Sequence, residues 1–205
     1  MEKIALNKSS LKSERDRLKT FERFLPSLDL KRQQLMVESK KAQAELKGIL
    51  ARVEETLQGI EGLLGLLGGT TMEMPDYVRL ENYSTKEENV VGVRLPLLDE
   101  IEFGVQEYST LAKPFWVDTL VDYLQEVAKL RVEERIGKER VELLDEAVRK
   151  ITQRVNLFEK VLIPNAKENI HRIQIFLNDA ERAGVVRSKL VKAKRQRSAN
   201  MAELG

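Results

Sequence analysis

The chain has 205 residues, of which 35 are Lys or Arg and 33 Asp or Glu, with one His and no Cys. A charged fraction of 33% beside an aromatic fraction of 5% is the mix of long helices and coiled coils, and it argues against a compact two-layer fold. The missing cysteine excludes disulfide scaffolds, zinc–thiolate clusters and thiol nucleophiles.

No run of about 18 apolar residues is present to span a bilayer, and the charged start MEKIALNKSSLKSERDRLK lacks the apolar stretch of a secretory signal. The expectation is a cytosolic protein with no direct membrane insertion. The net charge of +2 is unevenly spread, with +3 in residues 1–64, −5 in 65–114 and +4 in 115–205.

From Leu11 a heptad register places Leu11, Leu18, Leu25, Arg32, Ser39, Leu46, Val53 and Ile60 at a positions. Glu14, Phe21, Leu28, Leu35, Ala42, Ile49, Thr56 and Leu63 fall at d positions. Twelve of the sixteen are apolar, whereas the positions between are mostly Lys, Arg, Glu and Gln, so the segment predicts a coiled-coil helix. Pro26 lies inside it. The register continues across that proline, which therefore predicts a bend and not an end.

Glycines in GIEGLLGLLGGTT then weaken and stop the helix. Beyond them, YVRLENY and NVVGVRLPLL alternate with period 2, predicting short strands at 77–83 and 90–95 joined by a turn in STKEEN. Pro96 ends the second strand, and residues 97–111 are expected to form a short helix or an irregular return.

Helix initiation near Pro114 suits the first-turn tolerance of proline. Trp116, Leu120, Leu124, Val127 and Leu130 begin a second seam, which continues as Val141, Leu144, Val148, Ile151, Val155, Phe158 and Leu162. It resumes after Pro164 with Ala166, Ile170, Ile173, Leu177 and Ala180. Two successive steps of four, from Leu162 to Ala166 to Ile170, form a stutter that unwinds a supercoil locally.

Two seams joined by a small insert predict an all-α dominated fold: a long antiparallel two-helix coiled coil with a central insert containing a β-hairpin. The division is 4–64 for the N-terminal helix, 65–114 for the insert, 115–197 for the C-terminal helix and 198–205 for a flexible tail. Antiparallel pairing of residues whose numbers sum to about 190 would set Pro26 against Pro164, bending both helices at one level.

That hairpin brings the termini to one tip, where Lys8, Lys12 and Arg15 join Lys189, Lys192, Lys194 and Arg195. A basic tip and an acidic middle steer the molecule toward an acidic or mixed-charge cavity, nucleic acid or anionic lipid. The plain alternative is a solvated, frayed tail. No aromatic residues interleave with these cations and no nucleic-acid-binding fold is recognisable, so nucleic acid is not the expected partner.

Catalytic chemistry finds little support. His171 has no metal-ligand companion at helical spacing, and the glycine stretch lacks the Lys-Ser or Lys-Thr ending of a phosphate-binding loop. The carboxylates occupy outward heptad positions, where solvation is ordinary. Phe115 and Trp116 read as a local staple before they read as a partner anchor. The expectation is a chain with no catalytic residue, no metal site and no cofactor.

The opening IALNKSSLKSERDRLK, the central NVVGVRLP and above all RVNLFEKVLIPNAKENIHRIQIFLNDAERAGVVRSKLVKAK resemble the D subunits of the V-type and archaeal A-type rotary ATPases. The resemblance implies a non-catalytic central-stalk rotor shaft at the cytoplasmic face of a membrane. Its two termini would enter a catalytic hexamer of A and B subunits, and its lower end would join the small central-stalk F subunit and the membrane-side socket subunit (C/d type). By the same resemblance Lys8, Lys12, Arg15, Lys189, Lys192, Lys194 and Arg195 would face the hexamer. Val91, Gly92, Val93 and Pro96 would belong to the insert near the F subunit. The alternatives are a free coiled-coil adaptor or tether, a nucleic-acid-binding protein using the basic tail, the F-type shaft, for whose larger inserted domain there is little room, and an enzyme.

Overall fold

The structure, a computed structural model, describes residues 4–67, 78–105 and 116–202. It is dominated by long helices with a small antiparallel hairpin between them. In chain order the elements are α1 (Lys8–Leu67), β1 (Val78–Val90), β2 (Val93–Val105), α2 (Trp116–Leu157), a π-helical turn (Phe158–Leu162) and α3 (Ile163–Ala202). The chain divides into a terminal unit, Met1–Asp29 with Gln153–Gly205, and a central unit, Leu30–Thr152.

Asn7 starts α1: its side-chain Oδ1 accepts the Ser10 N–H at 2.7 Å, satisfying a donor that the first turn leaves unpaired. Every described position of the Leu11 register up to Ile60 is buried or half-buried. This includes its polar members, since Glu14, Ser39 and Thr56 are buried. The helix ends at Leu67, just before Gly68 and Gly69.

In the terminal unit α1 runs antiparallel to the C-terminal helical segment. Phe21 meets Phe158 edge to face with ring centroids 5.4 Å apart, Glu22 pairs with Lys167 at 3.4 Å, and Asn169 donates to Glu14 at 3.4 Å. The helix passes through Phe158–Leu162 with one wide turn, in which the Ile163 N–H reaches the Phe158 carbonyl. Pro164 explains the widening. It has no N–H for the Lys160 carbonyl and its ring presses on that oxygen, so the turn before it opens and the helix continues.

The expected pairing of Pro26 with Pro164 is met in part: Lys8–Glu181 and Glu22–Lys167 have residue numbers summing to 189, close to the expected 190, whereas Glu14–Asn169 and Phe21–Phe158 sum to 183 and 179 and set the prolines about two to three turns apart. The second seam runs on through buried Ala166 and Ile173 to half-buried Leu177, but Ala180, expected to extend it, is exposed.

In the central unit the remainder of α1 packs antiparallel to α2. Leu35, Ala42 and Val53 are buried from one side and Leu120, Leu130, Val132, Ile136, Leu144 and Ile151 from the other. Val121, Val132 and Ile136 lie outside the expected seam. The Ser39 hydroxyl donates to Asp145 Oδ1 at 2.6 Å, so a polar register position is satisfied across the pair.

The hairpin differs from the expectation. Residues 84–89, read as the turn, lie inside β1, and the chain reverses at Val91–Gly92 with Val90 paired to Val93. Residues 97–105, read as a short helix or irregular return, continue β2, while 106–115 lie outside the described residues. Each strand has 13 residues, about 43 Å at strand rise. Val78 at the base packs on Val117 and Val121, and the turn reaches Lys31, so the ribbon lies along the helices of this unit. Leu95 is its buried anchor, whereas β1 is exposed apart from half-buried Val78, Tyr83 and Val90.

Candidate partner-contact surfaces

Val91 and Gly92 form the hairpin turn with φ of 53° and 81°. A two-residue turn with positive φ at both positions matches the right-handed twist of the strands, which is why glycine suits the second place. Asn89 Oδ1 accepts the Gly92 N–H at 2.9 Å and fixes the reversal. Gly92 takes a left-handed conformation that glycine adopts without strain, and beside it stands the Lys31 ammonium, 3.2 Å from where a Cβ would be.

Val91 is a β-branched residue in the left-handed region, a strain of roughly 1–2 kcal/mol. Val93 and Pro96 are half-buried, and the Pro96 carbonyl accepts Arg140 Nη1 at 3.0 Å. Of the four insert residues, Val91 and Gly92 make the reversal, and only Gly92 is exposed, the other three being half-buried.

The terminal basic residues form two groups. Lys8, Lys12 and Arg15 are exposed in the first turns of α1 and line a shallow groove with Gln174, Leu177 and Glu181. Lys8 pairs with Glu181 at 3.8 Å, with both side chains largely in solvent. Lys189, Lys192, Lys194 and Arg195 are exposed farther along α3, beginning eight residues or about 12 Å past Glu181. The first group shares its groove with Asp16 and Glu181, whereas the second lies in a stretch of sequence without acidic residues.

From Arg182 to Arg197 the helix carries Arg182, Arg187, Lys189, Lys192, Lys194, Arg195 and Arg197 with no acidic residue. Val185, Val186, Leu190 and Val191 are 54–65% exposed between them. At 3.6 residues per turn neither set gathers on one face, so cations and apolar groups are presented in all directions.

A further surface escaped the sequence reading. Leu30, Met36, Val37, Leu50 and Leu57 are exposed on the outer side of α1 in the central unit, at the e and f positions of the heptads. Seven-residue steps from Leu30 to Val37 and from Leu50 to Leu57 were the available signal, masked by attention to a and d alone.

The ionisable groups serve local cohesion. Buried Glu134 is held below its ordinary pKa of 4.5 by hydrogen bonds from Lys138 (2.7 Å) and Arg131 (2.8 Å), which outweigh the opposing effect of burial. Glu146 is lowered in the same sense by Lys150 at 2.6 Å. His171 is exposed on α3, and among the described residues no three of His, Asp and Glu gather into a metal-holding group.

Known proteins resemble this chain along nearly its whole length. The family model for the D subunit of ATP synthase matches residues 10–193. The V-type ATP synthase D subunit of Borreliella burgdorferi is 37% identical over 193 residues, covering 94% of this chain and 95% of that protein. The protein of the same name from Chlamydia felis is 34% identical over 200 residues, covering 94% of each. That of Chlamydia pneumoniae is 29% identical over 194 residues, covering 93% and 92%.

Proposed function

Because the chain belongs to the D-subunit family of ATP synthases, we propose that it is the central-stalk rotor of a V-type ATP synthase. It is a non-catalytic subunit, and among its described residues no helix is long and apolar enough to cross a membrane. In the proposed role it couples ATP hydrolysis or synthesis in a hexamer of A and B subunits to proton or sodium movement through membrane subunits, from the cytoplasmic face. The small F subunit and a socket subunit of the C/d type complete its contacts.

The observation that most supports this reading is the run from Arg182 to Arg197. A single helix that offers cations and apolar side chains on every side suits an environment that surrounds it, as a ring of subunits does, better than a flat partner. Lys189, Lys192, Lys194 and Arg195 would then contact the hexamer, with Lys8, Lys12 and Arg15 at its mouth. The paired helices would carry torque. Coupling would arise because an asymmetric shaft touches each catalytic interface differently and shifts its open and closed populations.

The F subunit would meet the central unit, where the Leu30–Leu57 stripe is exposed and Val91, Gly92, Val93 and Pro96 lie at the distal hairpin. Strain at Val91 favours a role for the turn beyond folding.

Mild extraction and affinity capture on this chain tests the reading. Recovery of nucleotide-hydrolysing A and B subunits is expected. An eluate containing the chain as a stable species without them identifies a free coiled-coil adaptor, and steeply salt-dependent retention of nucleic acid identifies a basic-tail binder.

A further inference from the structure

The hairpin has two ends that are held by different chemistry. Its base is apolar: Val78 packs against Val117, fully buried, and Val121, 5% exposed. Its distal half has one buried leucine, Leu95, among the half-buried Val90, Val93, Pro96 and Leu98, and its main polar tie to α2 is one guanidinium. Arg140 of α2, whose side chain is 17% exposed, donates through Nη1 to the Pro96 carbonyl at 3.0 Å and through Nη2 to Glu88 Oε2 at 3.1 Å. A planar fork that grips one strand by its backbone and the other by a carboxylate holds both strands at once.

Between these anchors the ladder is broken twice. Leu80 pairs with Phe103 and Asn82 with Glu102, leaving Glu81 as an extra residue on β1. Ser84 pairs with Glu100 and Thr85 with Leu98, leaving Asp99 as an extra residue on β2. Bulges bend and twist a strand and interrupt its hydrogen bonds. Here one falls on each strand, so the register is restored beyond them and the distal ribbon from Thr85 to Leu98 remains a regular unit. Gly104 makes room for the bulged Glu81, whose carboxylate occupies the space a Cβ would need.

We propose that the distal hairpin is a strap: residues 85–98 lift from and close onto the helices of the central unit as one piece, bending at the Glu81 and Asp99 bulges, with Arg140 as the latch and the Val78–Val117–Val121 cluster as the fixed end. Closure hides Leu95 and the Arg140 fork; opening presents both. Arg140 is a positioning residue in this scheme. The proposal is independent of the rotor assignment, since it concerns the chain alone.

Off the helices a two-stranded ribbon is only marginally stable, so lifting lets its ladder open, and hydrogen exchange on the full-length chain tests the strap by comparing the distal ribbon with the base at 78–80 and 103–105. Arg140→Gln should accelerate exchange in the distal ribbon by tenfold or more, leave the base and the α2 amides unchanged, and make a second change, Glu88→Gln, nearly silent. Glu88→Gln alone should accelerate the distal ribbon by a few-fold. Raising salt from about 0.1 M to about 1 M, which shortens the screening length from about 10 Å to about 3 Å, should loosen the distal ribbon of the wild type more than that of Arg140→Gln, in which, among the described residues, only the Lys86–Asp99 and Arg94–Glu87 pairs remain to be screened.

Equal acceleration of base and distal ribbon overturns the strap, because the hairpin then leaves as a whole. Unchanged distal exchange in Arg140→Gln also overturns it. If Arg140→Gln loosens α2 as well, Glu88→Gln and the wild-type salt series decide: a response confined to 85–98 upholds the latch, and no response removes it.

Discussion

The central unit and the far end of α3 are built from the same alphabet, yet they use it in opposite ways. In the central unit charged residues are drawn into bonds across and within elements. Asp145 on α2 accepts from Ser39 on α1, Arg140 on α2 reaches Glu88 and Pro96 of the hairpin, and Glu134 sits buried between Arg131 and Lys138 of its own helix. Past Glu181, α3 carries seven cations without an acid, and every described residue of 185–197 is exposed. Cohesion lives in the first region and availability in the second. A force-transmitting part needs both, but not in the same residues.

The contrast breaks first where the central core is cut. Leu35→Ala or Leu144→Ala removes a side chain that is 1% exposed and should cost about 2–5 kcal/mol in denaturant unfolding, with capture of partners falling only as the fold is lost. Asp145→Ala leaves the buried Ser39 hydroxyl without its carboxylate and should cost about 1–3 kcal/mol by the same measurement. Replacing strained Val91 with Asn, which tolerates the left-handed region, should stabilise the hairpin by about 1 kcal/mol, read as slower exchange at the turn.

Acid sharpens the same comparison more gently. The folded-state pKa of Glu134 lies below its ordinary 4.5, so its ion pairs contribute stability above that value and lose it as pH falls through the lowered one. An unfolding series from pH 6 downward should show stability declining below about pH 4.5, and Glu134→Gln should flatten part of that decline. Truncation after Ala183 should change stability least, by less than about 0.5 kcal/mol, because no described side chain beyond it is buried. It should nonetheless weaken capture of A and B subunits. Unchanged capture and coupled turnover would remove the hexamer-facing role from Lys189, Lys192, Lys194 and Arg195.

Much of this was legible in the sequence because heptad position controls burial even where the residue is polar. Glu14, Ser39 and Thr56 looked like blemishes in the Leu11 register and proved to be buried in it, with partners at Arg17 and Asn169, at Asp145, and at the Arg52 carbonyl. Among the seam positions whose burial is described only Ala180 is exposed, where burial gives out along α3, while buried Val121, Val132 and Ile136 lie outside the seam as read.

The hairpin was harder. A ribbon lying on helices buries little of its outer strand, so β1 loses its period-2 signal beyond Tyr83 and its Ser-Thr-Lys-Glu run imitates a loop. Val at a left-handed turn position gives no sequence cue at all. The bulges at Glu81 and Asp99 then shift which residues face inward, which is why 97–105 did not read as strand. The π turn followed from Pro164, but a sequence shows only that the helix must yield near a proline, not by which turn. Arg140 was one arginine among many until its fork met Pro96 and Glu88.

The most direct measurement is rotation itself. With A and B subunits immobilised as a hexamer and a probe attached to the exposed outer face of α1 in the central unit, ATP should drive unidirectional turning of this chain, and cross-linking its C-terminal helix to the hexamer should stop both turning and hydrolysis. A chain that stays fixed relative to a hexamer actively hydrolysing ATP would contradict the rotor assignment.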